Sequence, residues 1–368
     1  MKKFNLKRKL LALGTLILGG ALAGCGSGGN AANNTATESG EKEITVAIYR
    51  DGEMDLLDAA SYKGPHVIYK MLYEGFTEDG GKDGITPLLA TSWDVSEDQK
   101  TYTFHLRKGV KFTDGTDFNA QAVEFNLKRW VNNDRHSSLT SYKVDDIKVV
   151  DDYTIQVTFN SNAYPILTEM SYPRPVRFLS PDSIKDNGEV MGEFSSPVGT
   201  GQWMLESYTK DEEFVLKANP DYWGEKPKLE RIRFKVIKDG QARTMALKNG
   251  EVDIIGGDLL GKIPMEDLKD LEASGFNIKK MDTMCAYYIA FNQSADFAQD
   301  VKVRQALNYA IDKQTMVDNL FYGEGKAAKG LYNSELVPYV TEENSPGYEY
   351  NLEKAKSLLA EAGYTDSN

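Results

Sequence analysis

The chain has 368 residues, with 43 lysines and arginines against 55 aspartates and glutamates and a formal net charge of −12. Residues 1–24 hold five of the basic residues and no acid, so the remainder carries −17. A surface that acidic argues against nucleic acid or anionic lipid as the main partner, and two cysteines exclude a disulfide framework.

The amino terminus reads as an export signal. Lys2, Lys3, Lys7, Arg8 and Lys9 precede the apolar run of residues 10–24, which is broken by Gly14, Gly19 and Gly20. A basic start and a short apolar run form a secretory pattern; a membrane span needs about 20 apolar residues. The run ends in Leu22-Ala23-Gly24-Cys25, which resembles the bacterial lipobox. There the cysteine thiol is acylated and the chain is cut just before it. An ordinary cleavable signal that happens to end near a cysteine is the alternative. Residues 26–42 are small and polar, cannot bury enough surface to order themselves, and read as a flexible tether.

The folded part is expected from Glu43, where EITVAIY alternates with the period of a strand. Residues 101–112, 153–159 and 230–237 alternate in the same way. Apolar spacing predicts helices over 119–133, 241–250, 303–323 and 351–364, the last stopping at Gly363. Asp114-Gly115 fits a hairpin turn, and Gly199 and Gly201 suit a tight turn with positive φ. Trp203 and Trp223 read as core anchors. Asp145-Asp146 and Asp151-Asp152 read as solvated turns between strands. Cys285 lies in the strand-like run MDTMCAYYIAF and reads as a buried thiol, with a reactive one as the alternative. The pattern is mixed α and β without regular βαβ alternation. The chain holds no HExxH, CxxC, GxSxG or Walker-type loop, and no enzyme is expected.

Several segments, in order, carry a resemblance. They are PLLATSWDVSEDQKTYTFHLRKGVKFTDGTDFNAQAV (87–123), PVGTGQW (197–203), NPDYWGEKPKLERIRFKVI (219–237), LKNGEVDII (247–255), VRQALNYAIDK (303–313) and AKSLLAEAGY (355–364). From about residue 43 onward the chain resembles the extracellular solute-binding proteins of family 5, the dipeptide, oligopeptide and nickel receptors of ABC importers. Gln202 replaces the proline usual in the family's PxGTGPW turn. The resemblance implies a mixed α/β, two-lobed fold of the periplasmic-binding-protein type II kind. It divides the chain into a lipoprotein signal peptide (1–24), a tether (25–42), lobe I with its extra subdomain (43–255) and the first part of lobe II (256–368). The family pattern also implies that the rest of lobe II, and the return to lobe I, lie beyond residue 368.

The resemblance further implies capture of small-molecule or peptide cargo by a monomer held by lipid on Cys25 outside the cytoplasm. That monomer would deliver its cargo to an ABC permease and its ATPase. YPILTEMSYPRPVRFLSP (164–181) is similar to a segment of nickel receptors, and places Arg174 where an arginine holds the carboxylates of a small metal chelate. A planar guanidinium suits that task because it makes two parallel hydrogen bonds to one carboxylate. An internal ion pair is the alternative for Arg174, and Arg177 reads as structural. Arg135 and His136 match an Arg-His pair of nickel receptors, but Ser138 stands where those receptors have a cleft tryptophan. His66 falls where they place a metal-facing methionine, and imidazole is a good ligand for nickel; a surface or hydrogen-bonded histidine is the alternative reading. His105 reads as structural. No cofactor is implied, and a bound Ni²⁺ chelate would be cargo. The cargo readings are a nickel chelate, a dipeptide or oligopeptide, or a peptide signal fed to a chemosensory pathway.

Overall fold

The computed structural model describes residues 42–61, 65–132, 142–173, 176–185, 190–257, 260–281, 286–332, 337, 339–341 and 343–364. The signal segment, Cys25, Arg135, His136, Arg174 and Cys285 therefore lie outside the described residues.

Two four-stranded sheets lie between Glu43 and Val236. One takes β1 (Glu43–Ile48), β8 (Trp203–Thr209), β9 (Glu213–Ala218) and β10 (Arg231–Val236) in the order β1-β10-β9-β8. Its β1 and β10 run parallel, with Val46 opposite Phe234, and the other pairs are antiparallel. The other sheet takes β4 (Ala90–Val95), β5 (Thr101–Leu106), β6 (Val144–Asp151) and β7 (Thr154–Phe159) in the order β4-β5-β7-β6, all antiparallel. A short pair, β2 (Thr77–Asp79) and β3 (Ile85–Pro87), stands between them in sequence.

Each sheet has its own core. In β5, Tyr102, Phe104 and Leu106 point inward while Thr101, Thr103 and His105 stay partly open, the alternation expected from a period of two. That face packs on α2 (Ala120–Val131), whose buried Ala120, Val123, Leu127 and Trp130 recur at helical spacing. The Asn119 side chain accepts from Ala122 N and starts the helix. Phe76 stacks on Phe104 at 4.0 Å. In the other sheet, Phe214 stacks on Phe234 at 4.6 Å, and Ile68, Tyr69, Leu72 and Tyr73 of α1 (His66–Leu72) and its end cover them. Helix α3 (Ile166–Ser171) closes the first core through Ile166 and Met170.

The two cores meet at the segment after α1. Glu74 is buried there and its carboxylate accepts three hydrogen bonds, from Thr200 Oγ1 (2.7 Å), Tyr222 OH (2.7 Å) and Trp223 Nε1 (2.8 Å). Burial raises its pKa above the ordinary 4.5, and the three donors oppose that shift. The Arg107 guanidinium lies 4.2 Å over the Trp223 ring. Trp223 is thus half buried and tied by its nitrogen, whereas Trp203 is a buried anchor of β8.

The glycines of the 197–203 turn act differently from the expectation. Neither has a positive φ. Instead, a Cβ on Gly199 would overlap the Leu72 carbonyl, and one on Gly201 would overlap the Met71 carbonyl. The turn runs against the end of α1, with Gly201 N donating to Leu72 O at 3.0 Å. The glycines permit close backbone approach, the other reason for an absent side chain. Gly115 does sit at φ 89 in its turn, as expected for that hairpin.

Beyond β10 come α4 (Gly240–Lys248) and a return beside β1, where Ala47 N donates to Ile254 O at 2.9 Å. Gly256 and Gly257 then turn the chain at positive φ. Helices α5 (Leu268–Ala273), α6 (Asp296–Gln299), α7 (Val301–Ala310), α8 (Lys313–Leu320) and α9 (Leu352–Glu361) follow. The single helix expected over 303–323 is two, because the Asp312 side chain accepts from Thr315 N and caps a new start. Ala306 of α7 is buried with Ala355 and Leu358 of α9, and α9 stops at Gly363 with φ 89. The strand expected around Cys285 is not found in its described part, residues 286–291, where Tyr287, Tyr288 and Ile289 are exposed. Asp145 and Asp146 lie inside β6, at a register shift, rather than in a turn. No helix among the described residues is long and apolar enough to cross a membrane.

Glu74→Ala leaves one buried and two half-buried donors without their acceptor and is expected to lower unfolding free energy by about 3 kcal/mol, read by chemical denaturation. A loss below about 0.5 kcal/mol would contradict that role. The raised pKa means the folded state holds the proton more tightly than the unfolded chain. Stability from Glu74 is therefore fully present below 4.5 and is lost as pH rises through the folded-state value. Glu74→Gln should flatten that part of the wild-type pH–stability curve, and an unchanged slope would count against it. Gly199→Ala and Gly199→Asn should both cost on the order of 1–3 kcal/mol through backbone overlap. At Gly115, asparagine should be better tolerated than alanine, because asparagine accepts positive φ. Equal tolerance of asparagine at both positions in melting curves would refute the distinction.

Candidate functional site

The carboxyl end of β1 and the start of α1 frame the candidate site. After Ile48 the chain leaves the sheet through Tyr49 and Arg50, both exposed, and then turns inward at Asp51 and Gly52. Asp51 fixes that turn. Its carboxylate accepts from Tyr208 OH (2.7 Å), Asp211 N (2.9 Å) and Glu53 N (3.1 Å). Burial, followed by the Asp51 hydrogen bond, pushes the Tyr208 hydroxyl up to about 12. The following loop is tied to α1 by two tyrosines: Tyr69 OH donates to the carbonyls of Asp58 and Ser61, and Tyr73 OH to that of Leu57 (2.6 Å). Arg129 of α2 adds an ion pair with Asp58 at 2.5 Å, while its other nitrogen donates to Val190 O.

His66 opens α1 and meets the end of α3. The Tyr172 ring stands edge-on to the imidazole at 5.1 Å, and its hydroxyl lies 3.3 Å from Nδ1. Tyr172 is otherwise exposed. Nε2 of His66 is buried, so ligation through that nitrogen requires the ring to turn outward. Among the described residues no group of three or more His, Cys, Asp or Glu is placed to hold a metal. What this corner offers is an aromatic and imidazole surface.

The segment that carries Tyr172 is fixed from beneath. Arg177 is buried and donates to the carbonyls of Ser171 (3.0 Å), Val176 (3.0 Å) and Met170 (3.3 Å). Burial lowers its pKa to about 10, with Glu78 and Glu74 opposing the shift. A Cβ on Gly75 would collide with this guanidinium. Arg177 is structural, as its position in the sequence suggested. It clamps both sides of residues 174–175, which lie outside the described residues.

Of the expected site residues, only His66 is among those described. The structure brings it against Tyr172, two positions before Arg174, which joins two segments 106 residues apart. Arg135 and His136 follow the end of α2 and cannot be placed. His105, expected to be structural, pairs with Asp94 at 2.8 Å on β4. Sequence reasoning missed the roles of Tyr172, Glu74 and Asp51. Glu74 had a signal, an acid between Tyr73 and Gly75 in an otherwise apolar run.

Residues 84–368 match the sequence profile of the bacterial extracellular solute-binding proteins, family 5 middle. The nickel-binding periplasmic protein of Escherichia coli K12 is 35% identical over 80% of this chain and 56% of its own length. The dipeptide-binding protein of the same organism is 32% identical over 77% of this chain and 56% of its own. The crystal structure of NikA from Brucella suis in complex with Fe(III)-EDTA superposes with a TM-score of 0.80 at 31% identity, over 88% of this chain and 64% of that one. The chain thus spans somewhat over half the length of the curated relatives it matches. These relatives are named for the solutes they bind rather than for a reaction, in line with the absence of enzymatic motifs in the sequence. With a mixed α/β body, a matching profile over most of its length and a solved neighbour sharing its fold, the chain belongs to the bacterial extracellular solute-binding proteins of family 5.

Proposed function

We propose that this protein is the receptor of an ABC importer and captures nickel as a small carboxylate-bearing chelate. The observation that carries the reading is the packing of Tyr172 against His66, because Tyr172 opens the YPRPVRF segment and His66 falls where the resemblance to nickel receptors implies a metal-facing side chain. The similarity to a nickel-binding relative and to NikA supports it. Arg174 would hold the chelate's carboxylates through its planar fork. Arg135 and His136 would face the same cleft, and His66 would join the metal on turning its ring outward. Residues 43–255 would form lobe I and 256–368 part of lobe II, closing around cargo before docking on a permease. A lipid on Cys25 would hold this monomer outside the cytoplasm and near that permease, raising its effective concentration there.

Dipeptide capture is the second reading, favoured by the 32% identity to a dipeptide-binding relative and by Ser138 in place of a cleft tryptophan. A ligand that binds only the folded state raises the melting temperature by mass action. Ni²⁺ with L-histidine is expected to raise it, and Ala-Ala is not. A rise with dipeptides alone would overturn the nickel reading. His66→Ala is expected to weaken nickel–histidine binding by more than about tenfold, read by calorimetry; an unchanged affinity would remove His66 from the metal's surroundings.

A further inference from the structure

We infer that residues 286–291 form a strand of a sheet whose neighbouring strand comes from polypeptide outside residues 1–368, and that the apolar surface around them is its docking face; this rests on the two-lobed receptor reading above. The stretch already alternates as a strand does. Ala286, Tyr288 and Ala290 line one crevice with Leu331 and Tyr332. Tyr287, between them, packs instead on Phe321 with ring centroids 6.0 Å apart, and its hydroxyl accepts from Lys262 Nζ. Apolar side chains in both sets suit a strand covered on both faces.

Yet Tyr287, Tyr288 and Ile289 are 72%, 73% and 69% exposed. Among the described residues, none pairs with a backbone N–H or C=O of 286–291. A strand needs a ladder partner, so the expected period is present here without the strand. An apolar run with both edges unpaired is a template for another strand. The exposure is also local. Of 23 exposed large apolar side chains among the described residues, 15 lie from Met281 onward, and the others are scattered between Tyr49 and Ile254. The crevice beside Tyr288 holds about 500 Å³, room for several side chains. Apolar surface concentrated in this way marks an interface.

The lengths of the relatives point to the occupant. NikA from Brucella suis is matched over 64% of its chain and the Escherichia coli nickel-binding protein over 56% of its length. More than a third of each thus has no counterpart in residues 1–368, on a fold shared at a TM-score of 0.80. In a compact fold that polypeptide packs against the shared part, and residues 286–332 are where apolar surface stands open to receive it. A second copy of this chain is disfavoured, because residues 25–368 carry −17 and two copies repel. The face sets the partner's chemistry: an alternating apolar strand that completes the ladder, with aliphatic or aromatic side chains for the crevice.

The test compares the 368-residue chain with a fusion that continues it, after Asn368, into the stretch of Brucella suis NikA that follows the matched region. Amide hydrogen exchange is read by mass spectrometry. In the fusion, the amides of 286–291 should exchange at least about a hundredfold more slowly than in the 368-residue chain. Tyr288→Asp should leave the melting temperature of the 368-residue chain unchanged, since that side chain is exposed, yet abolish the added protection in the fusion. Val150→Asp, at an exposed position of β6, should alter neither. Equal exchange in the two proteins, or protection that survives Tyr288→Asp, overturns the inference. Sedimentation showing that the 368-residue chain dimerises with 286–291 protected would also overturn it, by making a second copy the occupant. These results do not depend on cargo, so the melting and calorimetric tests with nickel–histidine judge the receptor reading separately.

Discussion

One buried carboxylate holds this structure together. Glu74 follows α1 and accepts from a threonine of one turn and from a tyrosine and a tryptophan of another, 126 to 149 residues downstream. Each of those donors belongs to a segment with no regular structure of its own. Without a common acceptor, the 197–203 and 219–224 turns would lack a fixed place relative to the two sheets. The arrangement is costly, since burial disfavours the charge and raises its pKa. Three hydrogen bonds offset that cost, and removing the side chain would leave all three donors without their acceptor.

The consequences reach the site. Glu74 O accepts from Phe178 N at 3.0 Å, so the same residue anchors the strand-like stretch after Arg174. The neighbouring Gly75 leaves room for the Arg177 guanidinium, which clamps the carbonyls before and after that stretch. At its other end, α1 presents His66 to Tyr172. Buried groups thus fix the end of α1 against residues 176–178, and its start meets Tyr172 through His66.

Much of the fold was legible because it follows from period and turn chemistry. Strand β5 alternates, α2 has its apolar stripe and its Asn119 cap, and Gly115 marks its hairpin. Legibility failed where the deciding interaction is long-range or depends on one side chain. Gly199 and Gly201 looked like residues chosen for positive φ, yet they answer to the carbonyls at the end of α1, which no local pattern reveals. Asp312 splits a helix whose apolar spacing runs on unbroken. The aspartates of β6 looked like turns because acids are rare in strands, but this strand has an exposed face. At the site, His66 was found from its place in a resemblance to nickel receptors. Tyr172 was passed over because an exposed tyrosine beside a proline carries no signal without its partner.

The central claim is that a small carboxylate-bearing solute binds where the start of α1 meets the end of α3. A crystal structure with Ni²⁺ and L-histidine, with anomalous scattering recorded at the nickel edge, tests it most directly. The expected result is a nickel peak beside the His66–Tyr172 pair, with chelate carboxylates within hydrogen-bond distance of Arg174. A nickel peak elsewhere on the chain, or a chelate at this corner with its carboxylates turned away from Arg174, would contradict it.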